Sequence, residues 1–200
     1  MPPRTSTWIS SRCAPSRSRR STCWPGDLSG SAGPRPDPVE DAEREVLTWE
    51  RFGAATRAVA RAIVADGFAP EVVVAVARGG LLPGGAIAYA LGVKQCGAIN
   101  VEFYTGVGTM LDAPELLPPR MDLGYLAGRR VLLVDDVADS GRTLALVVSL
   151  LRTAGAEVRS ATVYTKPGAA VRPDYWWRET PLWIDFPWSA VGSVIEEDAR

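Results

Sequence analysis

The stretch Val131-Leu-Leu-Val-Asp-Asp-Val-Ala-Asp-Ser-Gly-Arg-Thr143 sets four aliphatic residues, two carboxylates and a small-residue turn in order, and a new apolar run opens at Leu144. Consecutive aliphatics read as a strand buried on both faces, which is the pattern of a parallel sheet. In open α/β sheets ligands bind beyond the carboxyl ends of the strands, and a turn leading into a helix offers free N–H groups and a positive dipole end to an anion. Ser140, Gly141, Arg142 and Thr143 would build such a cradle: Gly admits the anion close to the backbone, and Ser and Thr add hydroxyl donors. The alternative is a buried strand whose terminal Asp residues only cap the following turn. No GxxxxGK[ST] phosphate loop occurs in the chain.

The same order of elements appears upstream and downstream. Thr48 is placed to cap a helix in which Phe52, Ala55, Val59 and Ile63 share one face, and Gly67 ends it. A continuous apolar strand over 72–76 leads into Ala77-Arg78-Gly79-Gly80, then a helix over 82–91 with Pro83 in its first turn and Gly92 behind it. Further strands are expected over 99–103, 130–135 and 158–165, and a helix over 142–154. Strands alternating with helices predict an α/β fold, a mostly parallel sheet flanked by helices. Residues 104–128 contain Pro114, Pro118 and Pro119 and little periodicity. They read as a long functional or mobile loop, or alternatively as a surface hairpin without a gating role.

The pattern of two hydrophobic residues followed by Asp135-Asp136-x-x-Asp139-Ser140-Gly141-x-Thr143 resembles the signature of type I phosphoribosyltransferases. These enzymes use 5-phosphoribosyl-1-diphosphate (PRPP). The resemblance implies the type I fold with a flexible hood over about 104–128. It gives Ser140, Gly141, Arg142 and Thr143 to the 5-phosphate and Asp135 and Asp136 to the ribose hydroxyls and to Mg²⁺. Mg²⁺ is also expected on physical grounds, since it favours one or two carboxylates together with substrate phosphates. Arg78, Gly79 and Gly80 resemble the family's diphosphate loop, often preceded by a cis peptide; alone, an Arg-Gly-Gly turn is only a turn. Asp139 falls at the position the family assigns to proton transfer, and could otherwise be a helix cap.

Tyr164-Thr-Lys166-Pro-Gly168 followed by Pro181-Leu-Trp183-Ile-Asp185-Phe-Pro-Trp188 is similar to the bacterial xanthine-guanine branch of the family. That similarity implies Lys166 donating to a 6-oxo group, Trp183 stacking on a purine, and the Ile184 carbonyl accepting from the base. An ammonium donor would select an oxo purine over a 6-amino one. Asp185 stands where the branch commonly has Glu, and it joins the expected purine-binding set with its contacts open. Plain alternatives are packing for Trp183, Trp176, Trp177 and Trp188, and a solvated loop for Lys166. The activity implied is transfer of the phosphoribosyl group to guanine, xanthine or hypoxanthine. Another acceptor base, or a PRPP-sensing regulator without catalysis, is the rival. A homodimer or homotetramer is the implied assembly.

Composition narrows the remainder. Two hundred residues, 46% hydrophobic with a formal charge of −1, suit one domain and give no general attraction to nucleic acid. Histidine is absent, which removes His-based triads and general bases, and the basic complement is almost wholly Arg. Cys13, Cys23 and Cys96 form no CxxC pair, so neither a disulfide framework nor a zinc site is expected. No apolar run reaches the roughly 18 residues of a membrane span, and no secretory signal pattern opens the chain, making the cytoplasm the default. Residues 1–40, rich in Arg, Ser and Pro, read as a disordered tail, a basic arm for a polyanion, or an over-extended gene start near Val39. The phosphoribosyltransferase domain is expected over 41–192, with a tail at 193–200.

Overall fold

The computed structural model describes residues 43–102, 105–106, 109–110, 115–117, 121–192 and 194–197. The expected tail at 1–40 and much of the 104–128 segment lie outside the described residues.

Helix α1 (Trp49–Ala65) starts where its capping chemistry dictates, with Thr48 Oγ1 accepting from the Arg51 N–H at 3.3 Å. Strand β1 (Arg44–Val46) precedes it. Strand β2 (Val72–Ala77) and helix α2 (Leu81–Leu91) follow, and Gly92 closes α2 in the left-handed conformation at φ 70°. Strand β3 (Gln95–Glu102) leads to a short β4 (Thr105–Gly106) and β5 (Thr109–Met110) pair, then β6 (Glu115–Leu117) and a 3-10 turn at Leu123–Leu126. Strand β7 (Arg130–Ala138), helix α3 (Arg142–Thr153) and strand β8 (Glu157–Thr165) complete the motif-bearing part. Strands β9 (Tyr175–Glu179) and β10 (Trp183–Asp185) and one helical turn, α4 (Val194–Glu197), finish the chain.

The main sheet has six strands in the order β6-β3-β2-β7-β8-β9, all parallel except the antiparallel β6 at one edge. Alternation along β2 explains why its sequence is apolar throughout. Val72, Val74 and Val76 pack with Val147 and Leu151 of α3 on one face, while Val73 meets Val59 and Ile63 of α1 and Ile87 of α2 on the other. Each fully buried side chain of this kind contributes on the order of 1.5–3 kcal/mol. A separate parallel pair, β1 with β10, rests on a third cluster that includes Leu47, Phe52, Tyr164, Ile184 and Phe186.

Four expectations are adjusted. Strand β3 begins at Gln95 rather than 99, because its first residues, Gln-Cys-Gly-Ala, carry no apolar signal and are held by the ladder to β2. Strand β7 runs on through Asp135 and Asp136 to Ala138, paired with β8 along most of its length. The 104–128 segment, read as a long aperiodic loop, contains the β4–β5 hairpin, β6 and the 3-10 turn; strands this short leave no periodicity to read. Strands β1, β9 and β10 were not expected as strands for the same reason. No helix among the described residues is long and apolar enough to cross a membrane.

Two glycines make the packing testable. A Cβ at Gly80 would meet backbone atoms, the Val76 carbonyl oxygen at 2.6 Å and its nitrogen at 2.9 Å, whereas a Cβ at the helical Gly53 meets nothing within 4 Å. Gly80→Ala is therefore expected to destabilise by about 1–3 kcal/mol, because neither wall can retract. Gly53→Ala should stabilise by about 0.5–1 kcal/mol through lower unfolded-state entropy. Opposite shifts in the urea midpoint check the pair.

Candidate active site

The C-terminal ends of the adjacent strands β2 and β7 form an acidic corner. Asp135 and Asp136 are partly buried at the end of β7, the Asp136 N–H donates to Asp135 Oδ1 at 2.9 Å, and no cationic side chain pairs with either among the described residues. Burial, and then the neighbouring charge of Asp136, lift the Asp135 carboxyl well above the ordinary range; burial also raises Asp136. Across from them lies the turn after β2, with a cis peptide between Ala77 and Arg78. A Cβ on Gly79 would meet the Asp136 carboxylate, with Cγ at 2.5 Å and Oδ1 at 2.8 Å, so the bare Gly79 backbone lies directly against that acid. Arg78 is exposed at the rim.

The turn between β7 and α3 is the second component. Gly141 sits at φ 77° as the N-cap of α3, with no side-chain cap bond, so Asp139 is not the helix cap that composition alone would allow. Only the Arg142 N–H finds a local acceptor, Ser140 Oγ at 3.4 Å, while Asp139, Ser140 and Arg142 are exposed and Thr143 half-buried. First-turn N–H groups left uncapped face outward as anion donors. Gly141 is required twice, by its φ and by the backbone of Val171, whose nitrogen would lie 2.8 Å from a Cβ there. The Ala170 N–H donates to the Ser140 carbonyl at 3.0 Å, so the segment after β8 lies across this turn.

A cleft of about 680 Å³ joins the turn to the chain's later motifs, lined by Val137, Asp139, Ser140, Lys166, Pro167, Gly168, Pro181, Trp183, Ile184 and Phe186. Lys166 follows β8 directly; its backbone N–H donates to the Ala138 carbonyl at 2.9 Å, and its ammonium donates to the Leu182 carbonyl. Trp183 is 70% exposed, so it is not core, and its ring is open to a planar ligand. Trp188 instead stacks on Phe186 at 4.9 Å, and Trp177 meets Tyr164 edge-on at 5.5 Å, so both are packing. Trp176 lies under the Arg172 guanidinium at 5.2 Å.

Asp139, Ser140, Lys166, Trp183 and Ile184 thus meet in one cavity. Asp135, Asp136, Arg78, Gly79 and Gly80 do not line it and form the acidic corner beside it, three residues up the chain from Asp139. Asp185 joins neither group. Its carboxylate accepts from Arg44 at 2.8 Å and its carbonyl accepts from the Leu47 N–H at 3.1 Å, both on the side of β1. Val137, Pro167, Gly168, Pro181 and Phe186 also line the cleft and were not singled out as site residues; all lie inside the quoted motifs, where no ligand contact was read for them. No cluster of three or more His, Cys, Asp or Glu side chains suited to a metal occurs among the described residues.

This geometry coincides with a match to known proteins. The family described as phosphoribosyl transferase domain matches residues 43–193. A relative from Ruegeria sp. (strain TM1040), named xanthine-guanine phosphoribosyltransferase, is 32% identical over 161 residues, covering 75% of this chain and 88% of its own. One of the same name from Cereibacter sphaeroides is 31% identical over 157 residues, covering 75% and 89%. Among solved structures, a purine phosphoribosyltransferase from Pyrococcus horikoshii Ot3 superposes with a TM-score of 0.66 at 35% identity, over 76% of this chain and 97% of that one. With an acidic strand end, an uncapped glycine turn and a tryptophan-walled cleft at the same end of a parallel sheet, the chain belongs to the phosphoribosyltransferase family, with the type I fold.

Proposed function

We propose that this protein transfers the 5-phosphoribosyl group of PRPP to a ring nitrogen of a 6-oxopurine, guanine, xanthine or hypoxanthine, with release of diphosphate, as a purine-salvage enzyme. The observation that carries the proposal is the single cleft in which the Lys166 ammonium, the exposed Trp183 ring and Asp139 converge. The names of the relatives from Ruegeria and Cereibacter support the same acceptor class, and that of the Pyrococcus structure supports a purine acceptor.

In this reading the 5-phosphate lies on the α3 N-terminus, held by N–H groups and hydroxyls of Ser140, Gly141, Arg142 and Thr143. The ribose hydroxyls donate to Asp135 and Asp136, and the diphosphate meets Arg78 and the backbone of Gly79 and Gly80. Two carboxylates without a cationic partner among the described residues fit Mg²⁺, which takes few protein oxygens and completes its shell with phosphate and water. When bound it would neutralise diphosphate charge. The base lies against Trp183, with its 6-oxo group accepting from Lys166. An ammonium has three donors, so Lys166 can keep the Leu182 carbonyl and still serve the base. A 6-amino group would set donor against donor.

The Ile184 carbonyl accepts a base N–H. The base nitrogen forms its bond to the anomeric carbon as the carbon–oxygen bond to diphosphate breaks, through a transition state with oxocarbenium character like that of glycoside cleavage. Asp139 takes up the proton shed by the purine ring. PRPP carries too much charge to cross a bilayer, which makes the cytoplasm the site of action. A homodimer or homotetramer completes the reading, with exposed Leu81, Leu82 and Tyr89 of α2 as apolar surface that a second copy would cover.

The direct test supplies PRPP, Mg²⁺ and a panel of bases and reads diphosphate release. Turnover with one or more 6-oxopurines and none with adenine is expected; release with pyrimidines alone, or with no base, would overturn the assignment. Asp139→Ala should lower kcat by about 10²–10⁴ with little change in PRPP affinity. Lys166→Ala should raise KM for the oxopurine by roughly tenfold or more and leave KM for PRPP near wild type. Parallel losses of PRPP affinity in both would contradict this division.

The Asp pair predicts a trade between activity and stability. Because burial raises the folded-state pKa above the unfolded one, the unfolded chain releases its proton first, and stability falls as pH rises from the ordinary carboxylate range through the folded value. Asp135→Asn removes that penalty. Without divalent cation it should raise Tm at pH 8 by roughly 2–4 °C, as for about 1 kcal/mol, with a smaller gain as pH falls, and should lower turnover. A lower Tm at pH 8 would show that the carboxylate stabilises the empty corner.

A further inference from the structure

The base-binding strand β10 is not part of the main sheet. Its only ladder among the described residues is with β1, in the register Arg44↔Trp183, Glu45↔Ile184 and Val46↔Asp185. A two-stranded ribbon of three residues has little stability of its own. Something must fix it to the body if Trp183 and Ile184 are to stay at the cleft. Leu47, 1% exposed, supplies part of that by burial in the third core cluster.

The polar part converges on one side chain. Glu45 Oε1, with the Glu45 side chain only 15% exposed, accepts from Tyr164 Oη at 3.1 Å, Arg51 Nη2 at 2.9 Å and Arg178 Nη1 at 3.0 Å. These donors come from β8, α1 and β9. Their arrangement is charge-complementary: one carboxylate serves two guanidinium groups, each of which also lies over the Trp177 ring, at 5.5 Å for Arg51 and 4.7 Å for Arg178. The Tyr164 hydroxyl, its pKa pushed up by burial and by Glu45, remains a donor over the whole working range. Arg51 also donates to the Val46 carbonyl at 2.5 Å, binding the ribbon's backbone to the same hub.

Tyr164 lies two residues before Lys166, so the hub grips the strand that delivers the ammonium as well as the ribbon that delivers Trp183 and Ile184. It makes no hydrogen bond to the β7–α3 turn or to the acidic corner. We propose that Glu45 is a positioning residue for base recognition, holding both walls of the purine site in register while leaving the phosphoribosyl side untouched. This rests on the 6-oxopurine reading and deepens it. It also adds the segment Arg44–Leu47 to the functional chain, although none of its side chains lines the cleft.

The test is a split in Michaelis constants on folded enzyme. Glu45→Ala is expected to raise KM for the 6-oxopurine about tenfold, with KM for PRPP within roughly twofold of wild type, and Glu45→Gln, which keeps the shape and one acceptor oxygen, to recover most of the loss. If Glu45→Ala does not fold, Tyr164→Phe carries the same test, with an expected rise of about threefold confined to the base. A lowered Tm with an unchanged base KM, or a parallel rise in both constants, would overturn the positioning role while the activity stands. Absence of purine turnover in the wild type would instead remove the activity assignment, and this inference with it.

Discussion

Two carboxylates held partly out of water, without a counter-charge among the described residues, are the constraint around which this protein is arranged. Asp135 and Asp136 lie toward the C-terminal end of β7, directly after its fully buried run Val131–Val134, where burial raises the free energy of the charged form. A stable fold with no use for them would place apolar or paired residues there. The glycines opposite follow from the same requirement: Gly79 has no side chain because Asp136 occupies the space, and Gly80 has none because two strands' carbonyls do. The cluster is thus a preformed demand for cationic and hydroxyl groups, which a magnesium-bound ribosyl diphosphate would meet.

The remainder of the site is delivered by backbone links to that corner. Strand β7 runs straight from the acids into the Gly141 turn, and the turn is crossed by the segment after β8 through the Ala170-to-Ser140 hydrogen bond and the tight fit of Val171 over Gly141. That segment begins with Lys166. The Gly141 turn and the Lys166 side of the cleft are therefore joined by a few residues of main chain. A Cβ at Gly141 would strain the turn and also push away the segment around Val171 that follows Lys166.

What could be read in the sequence divides along physical lines. Strands β2 and β7 and helices α1 and α3 were legible because each is long and buries a continuous face, so burial writes itself into periodicity. The Gly141 turn was legible because Gly and hydroxyl residues after a buried strand have few other uses. Trp183 was identifiable only through resemblance, since nothing in one sequence separates an exposed tryptophan from the packed Trp177 and Trp188. Strands β1 and β10 were invisible: three-residue strands carry no period, and their pairing joins residues about 140 positions apart. Asp185 was grouped with the base through resemblance alone, with its contacts open; its carboxylate accepts from Arg44 of β1.

The most direct measurement is the thermal stability of the full-length protein with PRPP, with Mg²⁺, and with both, at neutral pH and in the absence of any base. If the acidic corner and the glycine turn together form a ribosyl-diphosphate site, the combination should raise Tm by more than the two separate shifts added together, because Mg²⁺ and diphosphate bound in one corner each raise the other's affinity for the native state. Asp135→Asn should reduce that excess. A Tm indifferent to PRPP in the presence of Mg²⁺, with the wild-type protein folded, would contradict the account at its centre.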